Sequence, residues 1–205
     1  MIGIIDYGAG NLASVRNALD QIGREAVVVN HPEAMDGCER LILPGVGSFR
    51  LAMEALDHTG WAEALREYVS RGRPLLGICL GMQLLFDEGE EHGITPGLGL
   101  VPGRVVLMTP RAPHRLPHVG WNNLVHVGDH ALFEGIKRDV DLYFVHSYRC
   151  IATDAADVIA WCDHGGEFAA SIARGSVVGM QFHPEKSWPA GIRILENFAD
   201  WDGSC

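Results

Sequence analysis

The stretch Leu75-Leu76-Gly77-Ile78-Cys79-Leu80-Gly81-Met82-Gln83 decides the fold of this chain. Leu75 to Ile78 is a short apolar run after the stop at Arg73-Pro74, with the length of a buried strand. Leu80 to Phe86 reads as the first turns of a helix. Cys79 therefore falls on a sharp strand-to-helix turn, flanked by glycines two residues before and two after. That is the Gly-x-nucleophile-x-Gly elbow, with Cys in place of Ser. Glycines there let strand and helix approach closely around a strained residue. A helix N-terminus favours thiolate over thiol, and the Leu80 N–H points where an oxyanion would form. The plainer alternative is a buried structural cysteine.

A second stretch, Val178-Gly179-Met180-Gln181-Phe182-His183-Pro184-Glu185, argues against that alternative. It reads as a strand that ends in His-Pro-Glu. The residue before a proline is pushed toward extended geometry, and extended residues two apart point to the same side. Glu185 can then orient the His183 imidazole while the ring faces a nucleophile. Cys79, His183 and Glu185 fit a Cys-His-Glu triad that only the fold can assemble.

Working outward, the N-terminal half alternates strands and helices. Ile2 to Ile5, Ala26 to Val29 and Leu41 to Leu43 are expected strands. Asn11 to Ile22, Ser48 to Leu56 and Trp61 to Val69 are expected helices. This alternation predicts a mostly parallel central sheet with helices on both faces. In the C-terminal half, Arg104 to Met108, Trp121 to Val127, Leu142 to Tyr148, Val158 to Cys162, Phe168 to Ala173 and Val177 to Phe182 read as strands. Their short connections imply some antiparallel pairing. Gly89 to Gly103 reads as loop, and a helix over Gly191 to Phe198 closes the chain. The 205 residues fit one domain, 1–205.

Composition limits the function classes. Sixteen basic against 26 acidic residues leave a net charge of −10, which argues against a general nucleic-acid binder. Five cysteines without metal-like or framework spacing suit a reduced, cytoplasmic protein. The N-terminus has no signal-peptide pattern, and no apolar run has membrane-spanning length. Gly8-Ala9-Gly10-Asn11-Leu12-Ala13 matches a dinucleotide fingerprint. The acid expected at the end of the second strand is replaced by Asn30-His31, so a tight turn or a recognition turn is the better reading. His114 and His118 are separated by Pro117 and preceded by Pro113, which deny them a helix. His126 and His130 flank Gly128-Asp129, a turn. No metal and no cofactor are expected.

Leu43-Pro44-Gly45-Val46-Gly47-Ser48-Phe49 follows the third strand at the sheet edge that carries Cys79. It is either an ordinary turn with Ser48 as N-cap or the source of a second oxyanion donor. With Gly77 to Gln83 and Gln181 to Glu185 both present, the chain resembles the class I (triad) glutamine amidotransferases. Asp6 to Asn11, Pro44 to Phe49, Val119 to Asn122, Tyr143 to Tyr148 and Gly179 to Ser187 extend the resemblance along the chain. Together they select the subfamily that serves a (β/α)8-barrel cyclase subunit in histidine biosynthesis.

The resemblance implies a three-layer, flavodoxin-like α/β fold and glutamine hydrolysis through a Cys thioester, with ammonia passed to the cyclase in a heterodimer. It implies Cys79 as nucleophile, His183 as acid/base and Glu185 as its orienter. Val46 and Leu80 would supply oxyanion N–H groups. Gly47, Gln83, His146, Ser147 and Tyr148 would surround glutamine. Asn11, Trp121, Tyr143 and Lys186 would face the partner. The alternatives are an amidotransferase for another pathway, a related Cys-His-Glu hydrolase, a catalytically silent subunit and a dinucleotide-binding protein.

Overall fold

The computed structural model describes residues 1–137 and 139–204, apart from the side chains of residues 126 and 127; Cys205 lies outside the described residues. Strands and helices alternate from the start: β1 (Ile2–Ile5), α1 (Leu12–Gln21), β2 (Ala26–Val29), β3 (Arg40–Gly45), α2 (Phe49–His58), α3 (Trp61–Ser70), β4 (Leu75–Cys79) and α4 (Leu80–Leu84). Strands then dominate: β5 (Phe86–Gly89), β6 (Thr95–Pro96), β7 (Val101–Leu107), β8 (His118–Val127), β9 (Asp141–His146) and β10 (Tyr148–Ala152). The chain ends with β11 (Val158–Asp163), β12 (Glu167–Arg174), β13 (Val177–Met180) and α5 (Ala190–Asp200).

The large sheet has the order β2-β1-β3-β4-β13-β12-β11-β8-β9. Its first five strands are parallel, in the 2-1-3-4-5 order of flavodoxin-like folds. β12, β11, β8 and β9 continue it antiparallel. A smaller sheet, β10-β7-β5-β6, lies beside it.

Strand period and helix period explain the layers. Ile4, Ile42 and Leu76 point to one face of the sheet, where α1 buries Val15, Ala18 and Leu19 and α5 buries Ile194, Leu195 and Phe198. Their neighbours Ile5, Leu41, Leu43 and Leu75 point to the other face, under Phe49, Met53 and Leu56 of α2 and Trp61, Leu65 and Tyr68 of α3. Each such side chain, fully buried, stabilises by about 1.5–3 kcal/mol before entropy is counted.

Four sequence expectations are corrected. The helix after Cys79 stops at Leu84, and β5 begins at Phe86. The Leu84 and Leu85 carbonyls, which would extend the helix, accept instead from Leu98, Leu100 and Val101 N–H groups. The loop expected over Gly89 to Gly103 contains β6 and the first residues of β7. The single strand expected over Leu142 to Tyr148 breaks at Ser147: β9 belongs to the large sheet and β10 to the small one. β13 ends at Met180, and Pro184–Lys186 form a 3₁₀ turn, not a strand end.

Candidate active site

β3, β4 and β13 end at the same edge of the sheet, the place where open parallel sheets present their ligand sites. Cys79 closes β4 with φ 55° and ψ −110°, a left-handed backbone that a non-glycine residue adopts only under constraint. The glycines around it supply the constraint. A Cβ on Gly77 would lie 2.6 Å from the Gly81 carbonyl oxygen, and one on Gly45 would lie 2.8 Å from the Gly81 nitrogen. Strand, turn and helix can nest this tightly only without those side chains.

The Cys79 Sγ lies 3.8 Å from the Val145 carbonyl oxygen and 3.8 Å from Gln181 Nε2. α4 is little more than one turn, so few aligned peptides act on the thiol. The stronger local influence is His183. Its Nδ1 pairs with Glu185 Oε1 at 2.8 Å, and both side chains are almost sealed from solvent. Its Nε2 is buried without a conventional hydrogen-bond partner. Burial opposes charge on this imidazole, but interactions with Cys79 and Glu185 prevail and lift it from 6.5 to about 9. The reason the sequence offered for the His–Glu pairing does not apply, because Glu185 sits in a 3₁₀ turn. The turn nonetheless folds the carboxylate back onto Nδ1.

Two contacts hold this turn. His183 N–H donates to the Tyr143 carbonyl on β9 at 2.9 Å. The Ser187 hydroxyl donates to the His183 carbonyl at 2.6 Å and accepts from Tyr143 N–H at 2.9 Å. Ser187 was legible only as the last letter of a motif, since a fully buried hydroxyl bridging two backbones has no periodic signature. Gln181 went equally unassigned.

A cavity of about 220 Å³ opens on the thiol, lined by Val46, Gly47, Cys79, Leu80, Gln83, Val145, His146, Ser147, Tyr148 and His183. All the residues expected around nucleophile, oxyanion and substrate therefore converge, except Glu185, which stands behind His183. Gly47 has φ 103°, and Val46 is exposed at the cavity mouth. Both ring nitrogens of His146 are already engaged: Nδ1 at 2.8 Å from the Tyr148 carbonyl oxygen and Nε2 at 3.0 Å from His118 Nδ1. What this residue turns to the cavity is its ring and backbone.

Of the residues expected to face a partner, Trp121, Tyr143 and Lys186 lie together. Trp121 is 55% exposed and meets Tyr143 edge-on at 5.8 Å between centroids. Lys186 Nζ sits 5.5 Å from the Tyr143 ring centroid. Asn11 is the half-buried N-cap of α1, after Gly10, which packs against Pro44. Gly8 and Gly10 have φ 93° and 113°, so the fingerprint-like glycines serve a tight turn. His114 and His118, denied a helix by Pro113 and Pro117, both meet His164, with ring centroids 4.7 and 4.1 Å away. Among the described residues no group of three or more His, Cys, Asp or Glu side chains is arranged to hold a metal ion. No helix among them is long and apolar enough to cross a membrane.

A thiol on a strained elbow, an imidazole held by a buried carboxylate and a small cavity over both can perform acyl transfer on an amide or ester. Comparison with known proteins narrows the class. The family described as Glutamine amidotransferase class-I matches residues 3–201, and the chain belongs to that family. Among solved structures it is similar to one titled a glutamine amidotransferase, with TM-score 0.78 and 23% identity over 98% of each chain, a likeness of fold. Its relatives within the family are more specific. It is 50% identical to the imidazole glycerol phosphate synthase subunit HisH of Desulfitobacterium hafniense (strain DSM 10664 / DCB-2), over 98% of this chain and 94% of that one. It is 45% identical to the subunit of the same name from Sulfurimonas denitrificans, over 98% of both.

Proposed function

We infer that this chain, as one amidotransferase domain spanning residues 1–205, is the glutaminase subunit of an imidazole glycerol phosphate synthase. The observation that carries the reading is the sealed His183–Glu185 pair beside Cys79 at the floor of the cavity, in a chain half identical to a subunit of that name. The Cys79 thiolate attacks the side-chain carbonyl carbon of glutamine. The oxyanion forms within reach of the Val46 and Leu80 N–H groups. His183 gives its proton to the departing ammonia, leaving a thioester. The same imidazole then takes a proton from water, hydroxide adds to the thioester, the C–S bond breaks, and glutamate leaves. Gly47, Gln83, Ser147, Tyr148 and the His146 backbone hold the α-carboxylate and α-ammonium.

Ammonia passes to a (β/α)8-barrel cyclase subunit in a heterodimer, docked over Asn11, Trp121, Tyr143 and Lys186. The cyclase forms imidazole glycerol phosphate and aminoimidazole carboxamide ribotide in histidine biosynthesis, in the cytoplasm. No nucleic acid, membrane, metal or cofactor enters this scheme. Glutamine hydrolysis by the chain alone, with the cyclase, and with cyclase plus its ligand tests the reading. The expected result is a poor glutaminase alone and a rate that climbs with each addition. The flanking glycines leave the Val46 peptide free to reorient, and one oxyanion donor is worth roughly 10²–10³ in kcat. Equal rates in all three would contradict coupling, and no hydrolysis in any would contradict the activity.

A further inference from the structure

The mechanism leaves His118, Asn122 and Gln181 without a task, yet they form one continuous hydrogen-bonded chain with residues of the cavity. At its outer end the Asn122 amide nitrogen lies 2.8 Å from the Asp163 carbonyl oxygen and 3.2 Å from His118 Nε2. Asn122 Oδ1 accepts from the Asn123 N–H at 2.9 Å. A carbonyl can only accept, so the amide cannot be flipped, and His118 Nε2 must accept. His118 Nδ1 then carries the proton and donates to His146 Nε2 at 3.0 Å. His146 Nδ1 in turn donates to the Tyr148 carbonyl at 2.8 Å. That carbonyl also accepts from Gln83 Nε2 at 3.3 Å, and the other hydrogen of Gln83 goes to Gln181 Oε1 at 3.0 Å. Gln181 Nε2 is left to donate to Cys79 Sγ at 3.8 Å.

We propose that this relay, from Asn122 through His118, His146, the Tyr148 carbonyl, Gln83 and Gln181 to Cys79, positions the glutamine pocket and the nucleophile, with His118 and Gln181 as its two positioning residues. The proposal rests on the glutaminase reading. Each polar atom along the path has one possible role, so the amide of Gln83 is locked with both hydrogens turned away from substrate. Its Oε1 is the atom left to face the cavity, an acceptor suited to an ammonium. Gln181 is fully buried and places an N–H, not a carbonyl, against the sulfur, where a thiolate gains and a carbonyl would repel. His118 is held flat between the Phe144 ring, 4.8 Å away between centroids, and the His164 ring, 4.1 Å away. The relay starts on β8 one residue from exposed Trp121, so movement of that strand is transmitted to the thiol by hydrogen bonds. Burial first, then neighbouring imidazoles, keeps His118 neutral, down to about 3. Burial likewise holds His146 down at about 4, against the pull of the Tyr148 carbonyl.

The test uses the full chain assembled with the cyclase. His118→Phe keeps the ring stack and deletes both nitrogens. It should raise KM for glutamine roughly tenfold, one buried hydrogen bond's worth, with a smaller change in kcat. His118→Asn, whose amide nitrogen stands where Nδ1 stood, should recover most of that loss. Gln181→Met should act in the other direction, lowering kcat more than it raises KM. NMR of isotope-labelled histidine gives a readout independent of activity: the Tyr148 carbonyl keeps His146 in its Nδ1–H form in both proteins, while the Nε2 resonance should move to that of an unbonded acceptor nitrogen in His118→Phe. If His118→Phe does not fold, Asn122→Leu removes the same constraint one step further out. Wild-type KM in His118→Phe, no recovery in His118→Asn, or an unmoved His146 Nε2 resonance would overturn the relay. A wild-type complex that hydrolyses no glutamine would overturn the functional reading instead, and the His146 Nε2 resonance would still decide the relay.

Discussion

The Cβ that Gly81 lacks would lie 1.8 Å from the carbonyl oxygen of Leu43. No side-chain rotation relieves that contact, because both sides are backbone in the centre of the sheet edge. Gly81→Ala should therefore destabilise the chain by about 3 kcal/mol, the upper end for overpacking, and push α4 away from β3. Urea unfolding checks it. A change within about 0.5 kcal/mol would mean that the elbow has slack that the contact denies.

Glu185→Gln keeps the shape of the side chain and removes its charge. It should lower kcat by roughly a hundredfold or more while KM changes little, because the imidazolium loses its stabilising partner. In the wild type His183 stays protonated to about pH 9, despite its burial, so kcat/KM should fall as pH rises through that value. The variant's alkaline limb should move to lower pH. The linked stability has the same sign: fully present below the unfolded value of 6.5 and lost as pH rises through about 9. A variant with wild-type kcat and an unmoved limb would remove Glu185 from the mechanism.

The two buried imidazoles of the relay have the opposite sign. His118 and His146 are held at about 3 and about 4, in both cases first by burial, and for His118 next by the neighbouring His146 imidazole. Below pH 6.5 the unfolded chain takes protons that the folded chain refuses. Stability should decline as pH falls from about 6.5 and level off below about 3. Urea midpoints across that range should show a shallower decline in His118→Phe. Parallel slopes for the two proteins would contradict the assignment.

Thiol chemistry should be selective. Burial pushes Cys38 and Cys150 up, and Cys162 up to about 12, so these three are poor nucleophiles. Among the described cysteines, only Cys79 opens on the cavity. A diazo-ketone analogue of glutamine should label Cys79 and leave Cys38, Cys150 and Cys162 unmodified by mass spectrometry. Label found mainly on any of those three would contradict the site.

Much of this architecture was legible in the sequence because it follows from period and punctuation. β1 to β4 are short apolar runs bounded by turn residues, the helices between them carry i, i+3, i+4 apolar spacing, and Gly77 and Gly81 announce the elbow. Where several apolar residues run together, period says nothing. Leu84-Leu85-Phe86 continues a helix as readily as it starts a strand, and carbonyl partners in the segment that runs from Leu98 to Val101 decide between them. The break at Ser147 was hidden for a related reason. Leu142 to Tyr148 has uniform strand character, and only pairing to two different sheets divides it. Cys79, His183 and Glu185 could be read from motif chemistry. The Asn122–His118–His146 path could not, because it crosses from β8 to β9, and only the pairing register of those strands sets His118 opposite His146.

The central claim is that this chain makes ammonia for its partner and does nothing else in the synthesis. The most direct measurement is synthesis by the Cys79→Ala complex, run in parallel with glutamine and with ammonium salt as nitrogen source. Synthesis from glutamine should vanish, while synthesis from ammonia should proceed at the wild-type rate, since only the thiolate step is removed. Retained turnover with glutamine, or loss of turnover with ammonia in a complex that still assembles, would contradict the account.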